Sequence, residues 1–317
     1  MRIEYHRTLI ADHVRNAAFH AALAAHIIPG ETVVADIGTG TGLLGMIAAR
    51  LGAKRVYMYE TAAVGAIAER AVKANKLGRV CEVIACHSTD MIDPPKADVV
   101  VSETLGNYAF EENIISTLTD AAQRHLKPGG VMIPSGVRQF AAPVVSGRFH
   151  RELSVWADAG PKLGVVIDLG EAQHLTFNNA YVRLMDAGDL LDGLASARAW
   201  DEADFAKRPA TSRKADIAWR LDRPVTIDGF AYWWTATLAP QIVLSTAPDA
   251  PRTHWEQLYF PIAAPITAAA GDEVRLTVRT KSTEEAGTHL AWTAAHFDVK
   301  GDQISRQAHD LDKGYLP

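Results

Sequence analysis

The 317-residue chain is most informative first through what it lacks. It has two cysteines, Cys81 and Cys86, too few for a disulfide scaffold. Both fall in one apolar run, so they read as strand residues rather than a metal pair, and no metal site is expected. No basic run exceeds two residues, and the net charge is −5, which argues against a nucleic-acid-binding surface. No apolar stretch reaches the ~18 residues that a membrane span needs, and the N-terminus shows no apolar signal core. There is no useful repeat and no low-complexity tract. A cytoplasmic setting is the expectation. With 48% hydrophobic and 22% charged residues, the chain has ample core for one large domain or two ordinary ones.

The stretch 33–60, VVADIGTGTGLLGMIAARLGAKRVYMYE, carries the strongest local signal. An apolar run broken by Asp36 leads into Gly38, Gly40 and Gly42. A helical pattern follows and stops at Gly52, and a second apolar run ends on Glu60. This predicts strand, tight turn, helix and parallel strand. Glycines at such a turn let backbone N–H groups approach a ligand, and an acid closing the second strand suits two ribose hydroxyls. A dinucleotide fingerprint would need glycine at Leu43. The D-x-G-x-G-x-G form instead resembles the S-adenosylmethionine loop of class I methyltransferases. A purely structural turn is the alternative.

The surrounding pattern is α/β as far as residue 133. Residues 1–28 read as one amphipathic helical entry, 62–77 as a helix closed by Gly78, and 80–85 as a strand. A buried strand is predicted at 97–101, then an acid-rich loop, SETLGNYAFEEN, over 102–113. A helix at 114–126 and a strand at 131–133 follow. From residue 134 short apolar or alternating runs dominate: 139–145, 180–185, 215–221, 230–238, 241–245, 257–262, 273–280 and 289–299. They predict an antiparallel sandwich or barrel. The segments 155–179 and 189–206 read as insertions, the second with helical character.

Four separated stretches together resemble the protein arginine methyltransferases. They are HRTLIADHVR at 6–15, the glycine unit with Glu60 and the later VKANKL, the loop with Glu103 and Glu112 nine positions apart, and Thr253-His254-Trp255. The resemblance implies a Rossmann-like class I methyltransferase domain over 1–136. It implies an antiparallel β-barrel domain over 137–317, with an inserted dimerisation arm at about 155–179 and hence a homodimer. An ordinary hairpin packed on its own barrel is the alternative for that arm. The cofactor implied is S-adenosyl-L-methionine, with His6, Arg15, Asp36, Gly38, Gly40, Glu60, Thr89 and Glu103 as its contacts. Arg15 would meet the carboxylate, Glu60 the ribose and Thr89 the adenine edge. Glu103 and Glu112 would clamp a guanidinium, whose rigid fork of donors suits two carboxylates. Glu111 is expected to be a solvated neighbour, although a one-residue slip of register would exchange it with Glu112. His254 and Asp12 would meet across the two domains, as a proton relay or as a structural tether for the Thr-His-Trp loop.

The likeness thins where an acceptor would bind. Thr104 and Asn107 stand where the family commonly has Trp and an aromatic residue. The chain begins shortly before His6, so the family's N-terminal lid helix is expected to have no counterpart beyond Tyr5. The expected function is therefore methyl transfer to a guanidino nitrogen of peptidyl or free arginine, or of a related small guanidino compound. The alternatives are O-, N- or C-methylation of a non-guanidino small molecule on the same scaffold, and a non-catalytic binding protein that kept the fold.

Overall fold

The computed structural model describes residues 3–283 and 287–316. Its first half is built on a parallel sheet of β1 (Val33–Ile37), β2 (Arg55–Tyr59), β3 (Cys81–Ile84), β4 (Ala97–Ser102) and β5 (Leu126–Ile133). The spatial order is β3-β2-β1-β4-β5. Helices α1 (Ile3–Ala11), α2 (His13–His26), α3 (Leu43–Arg50), α4 (Gly65–Ala74) and α5 (Ile114–Arg124) accompany it. Val34, Ala35, Val56, Met58, Val99, Val100 and Val101 are buried, as strands covered on both faces require. The strand order reverses between β1 and β4, with Ile37 beside Ser102 at their carboxyl ends. The loops that leave these two strands therefore open into one crevice, where ligands of such sheets bind.

The second half is antiparallel. One sheet runs β7 (Tyr181–Arg183), β12 (Gln257–Ala268), β10 (Val225–Ala239), β6 (Gly136–Val144) and β8 (Arg198–Asp204), with β11 (Ile242–Ser245) on β10. The other runs β15 (Gln303–Asp310), β14 (Gly287–Phe297), β13 (Glu273–Thr283) and β9 (Ser212–Arg220). Their inner faces meet through large aromatics. Trp292 stacks on Phe260 at 5.2 Å between ring centroids, and Trp219 stacks on Phe230 at 5.7 Å. Between β6 and β7 lie α6 (Arg148–Leu153), α7 (Val155–Leu163) and α8 (Gly170–Phe177).

Several local expectations are corrected. The predicted single entry helix is two, Ile3–Ala11 and His13–His26, because Asp12 leaves helical geometry and caps α2 by accepting from Arg15 N at 2.9 Å. The 155–179 segment, read as an insertion, is built of the two helices α7 and α8. The 189–206 insertion contains short 3₁₀ turns and then β8, because its alternating side chains pair with β6. β15, which no apolar run announced, is an edge strand with several exposed positions. Cys86 lies beyond the end of β3, so only Cys81 is a strand residue, and both are free thiols. No helix among the described residues is long and apolar enough to cross a membrane.

Candidate active site

The loop after β1 makes three left-handed turns, at Gly38 (φ +71°), Gly40 (+57°) and Gly42 (+89°). A Cβ at Gly38 would lie 2.9 Å from Thr104 Cγ2, and one at Gly40 3.4 Å from the His6 ring. Backbone conformation and close approach together demand glycine at Gly38, whereas at Gly40 the left-handed conformation alone favours it. Asp36, 1% exposed, accepts from Thr39 Oγ1 at 2.5 Å and from Gly45 N at 2.8 Å. Burial pushes its carboxyl up to about 6 against the pull of those bonds. Glu60 joins the end of β2 to the loop: Oε2 accepts from Gly40 N and Oε1 from Ala62 N, each at 2.8 Å.

These groups border a cavity of about 450 Å³, within the usual range for a small-molecule site. From α1 it is covered by Tyr5, His6, Leu9 and Ile10. At its other end stand Tyr59, Cys86, His87, Ser88 and Thr117. The Tyr59, Ser88 and Thr117 hydroxyls are buried and have no hydrogen-bond partner among the described residues. Thr89 does not border the cavity. The 3₁₀ turn Ser88–Asp90 directs it outward, where its Oγ1 lies 2.6 Å from His87 Nδ1. His87 and Ser88, rather than the expected Thr89, border this end of the cavity.

Arg15, from the first turn of α2, is 5% exposed. Its Nε and Nη2 both donate to Glu103 Oε2, Nε at 2.6 Å, and its Nη1 donates to Asn16 Oδ1 at 2.6 Å. Glu103 Oε1 accepts from Leu105 N at 3.3 Å. Glu112 borders the same cavity. Burial, then the negative charges of Glu103 and Glu111, raises its carboxyl above the ordinary range. Tyr5 feels these acids too: burial raises its phenol first, then Glu103, Glu112 and Glu111.

Glu111 is not the solvated neighbour expected from sequence. Its Oε1 accepts from Tyr108 N at 2.9 Å, and a Cβ on Gly106 would come within 2.2 Å of its carboxyl. It folds back on its own loop and leaves the cavity to Glu112. The backbone arranges this division through positive φ at Ala109, Glu112 and Asn113.

The second half of the chain holds this loop by its carbonyls. Trp255 Nε1 donates to Leu105 O at 2.9 Å, Trp234 Nε1 to Gly106 O at 3.0 Å, Tyr232 Oη to Tyr108 O at 2.7 Å and Thr288 Oγ1 to Phe110 O at 2.9 Å. Only Trp255 was marked by a sequence motif. The others lie 124 to 178 residues from their partners. For Tyr232 and Trp234 the one signal is that buried Trp and Tyr tips need acceptors, and Thr288 carries none. Asp12 completes the join: Oδ2 accepts from His254 N and lies 2.8 Å from His254 Nδ1. Burial alone would raise the Asp12 carboxyl, but these bonds and the one from Arg15 N outweigh it and hold it below its ordinary value. His254 Nε2 is buried without a partner among the described residues.

Two family models match the chain. One, described as ribosomal protein L11 methyltransferase, covers residues 20–157, and the other, the arginine methyltransferase oligomerization subdomain, covers residues 138–300. A probable protein arginine N-methyltransferase 6.1 from Oryza sativa subsp. indica is 29% identical, over 89% of this chain and 82% of its own. An arginine N(omega)-methyltransferase from Streptomyces achromogenes subsp. streptozoticus is 30% identical, over 86% of this chain and 74% of its own. Among solved structures, protein arginine methyltransferase 10 of Arabidopsis thaliana matches at 23% identity, covering 98% of both chains with a TM-score of 0.78. A Trypanosoma brucei PRMT1 enzyme–prozyme complex with AdoHcy matches at 20% identity, also covering 98% of both, with a TM-score of 0.83.

Proposed function

From the premise that this chain belongs to the protein arginine methyltransferase family, we propose that it transfers a methyl group from S-adenosyl-L-methionine to a guanidino nitrogen of arginine, peptidyl or free, or of a small guanidino compound. The observation that carries this reading is the placement of Glu103 and Glu112 on one cavity beside the glycine loop.

The residues present suit the cofactor. The glycine turn at Gly38 and Gly40 leaves bare backbone where a methionyl chain would run, and Arg15 is a buried cation for its carboxylate. Glu60 stands at the end of β2 for the ribose, and the unpartnered hydroxyls of Tyr59, Ser88 and Thr117 supply polar atoms around a base. When bound, the cofactor supplies an electrophilic methyl on a sulfonium. Glu103 is oriented by Arg15 and offers Oε1 to one edge of a guanidinium, while Glu112 meets another. Burial first, and then repulsion from Glu103 and Glu111, raises Glu112, and a planar cation between the two acids offsets both. Tyr5 stands over the same acids and is read as part of the acceptor wall in place of the aromatics absent at Thr104 and Asn107. Asp12 and His254 are read as a tether, supported by the enclosure of His254 Nε2 away from the cavity.

The reading extends to the assembly and setting of the chain. Residues 1–136 form its cofactor domain and 137–317 its barrel domain. The 155–179 arm, with Leu163 74% and Val166 104% exposed, joins a second copy. The groove lined by His20, Leu43, Met46, Ile47 and Leu51 on the partner has the apolar character to receive it. Light scattering should give a dimer that Val166→Glu splits; an unaltered dimer would move the interface elsewhere. A cytoplasmic setting accords with two free thiols.

Mass spectrometry of arginine, a guanidino panel and arginine-rich peptides, each incubated with the protein and S-adenosylmethionine, tests the activity. Methylation of a guanidino nitrogen is expected. Methylation confined to acceptors without that group would move the protein to the alternative reading.

A further inference from the structure

The wall formed by residues 86–88 is held from behind, by the far end of α5. β3 stops at Ile84, and the chain then runs through the 3₁₀ turn Ser88–Asp90 toward β4. Arg124, in the last turn of α5, reaches into the concave side of that loop. Nη1 donates to Met91 O at 2.6 Å, and Nη2 donates to Ser88 O at 3.0 Å and Thr89 O at 2.9 Å. Asp120, one helical turn earlier, fixes the fork: Nε donates to Oδ1 at 2.6 Å and Nη2 to Oδ2 at 2.8 Å. His125 Nε2 lies 3.1 Å from the same Ser88 carbonyl, which makes Nε2–H the donor of the neutral ring. That ring is fully buried and meets Tyr59 edge-on at 5.0 Å.

We propose that Arg124 is a positioning residue for the nucleoside part of the cofactor: it sets the 86–91 loop and thereby the affinity of the site without touching the ligand. The inference rests on the cofactor reading above. Arginine suits the task because one planar fork can serve three carbonyls and a carboxylate together, which a single ammonium cannot. Thr117, which borders the cavity, lies seven residues before Arg124 and so on the same face of α5. One helix therefore presents both a cavity hydroxyl and the clamp on the opposing loop, and fixes the distance between them.

Calorimetry with S-adenosylhomocysteine, and steady-state kinetics with varied cofactor, test this on Arg124→Gln, Arg124→Lys and Asp120→Asn. Arg124→Gln should raise the cofactor KM and the S-adenosylhomocysteine Kd about tenfold, with kcat at saturating cofactor and the acceptor KM within about twofold of wild type. Arg124→Lys should restore part of the affinity, and Asp120→Asn should weaken it less than Arg124→Gln. A loss of thermal stability with unchanged cofactor KM, or a fall in kcat alone, overturns the proposal. If Arg124→Gln does not fold, wild-type affinity in both other variants overturns it equally. Absence of S-adenosylhomocysteine binding by the wild-type protein overturns the cofactor reading and this inference together, whereas wild-type binding with unaffected variants overturns this inference alone.

Discussion

Arg15 and Glu103 form a buried ion pair on the cavity wall, with side chains 6% and 4% exposed and Arg15 Nε 2.6 Å from Glu103 Oε2. The pair joins α2 to the loop after β4, so the residue read as a cofactor contact also orients the residue read as an acceptor contact. Removing one member of such a pair leaves an uncompensated buried charge.

The two halves of the pair should respond differently to substitution. Arg15→Met strands the Glu103 carboxylate and should destabilise the fold by about 3 kcal/mol, with loss of cofactor binding. Glu103→Gln keeps a hydrogen-bond acceptor beside Arg15 but leaves its buried cation uncompensated, so it should also lower Tm. It should cost at least about 100-fold in turnover without weakening S-adenosylhomocysteine affinity. Thermal melts, calorimetry and single-turnover assays read these outcomes. A Glu103→Gln protein that turns over normally would remove this residue from the acceptor berth.

Asp36 should make the fold less stable as pH rises through the weakly acidic range. Its carboxyl sits at about 6 in the folded protein, against an ordinary value of 3.8. Between those values the native state holds the proton and the unfolded chain has lost it. Its favourable contribution is thus full below the lower value, declines toward the higher one and then levels off. Asp36→Asn should flatten the dependence of Tm on pH in that window. An identical slope in the variant would show that another group causes it.

Glu112 should shape the acid limb of activity. Its carboxyl is raised by burial and by Glu103, and only the ionised form attracts a cation. Acceptor kcat/KM should therefore rise with pH through a limb above the ordinary glutamate range, and Glu112→Gln should abolish that limb while leaving low residual activity. A limb that persists in Glu112→Gln would assign it to a different acid.

The Asp12–His254 contact separates a tether from a relay. His254→Asn keeps a donor for Asp12, so a tether predicts a modest fall in Tm and kcat within about fivefold of wild type. A relay predicts a loss of about 100-fold or more and an altered basic limb at near-normal Tm. Asp12 is held below its ordinary value. The stability it contributes is therefore present above the unfolded pKa and lost as pH falls through the lower folded one.

The parallel βαβ unit and its glycine turn were legible in 33–60 because they rest on local periodicity and on a backbone conformation that glycine alone adopts freely. The switch to antiparallel structure near residue 134 was legible for the same reason. The spacing of Glu103 and Glu112 marked a loop with two acids. Which neighbouring glutamate faces the cavity was settled by positive φ at Glu112 and by Glu111 folding over Gly106. The break at Asp12, the outward turn of Thr89 and strands β8 and β15 depend on partners remote in sequence or on capping geometry that amphipathic patterns do not encode. The carbonyl clamps from Tyr232, Trp234, Thr288 and Arg124 belong with them. A sequence states which side chains a short segment carries and where its backbone must bend. The choice of donor for each such carbonyl is made only when segments remote in the chain pack together, because nearly all buried backbone groups take a partner at ~3 Å.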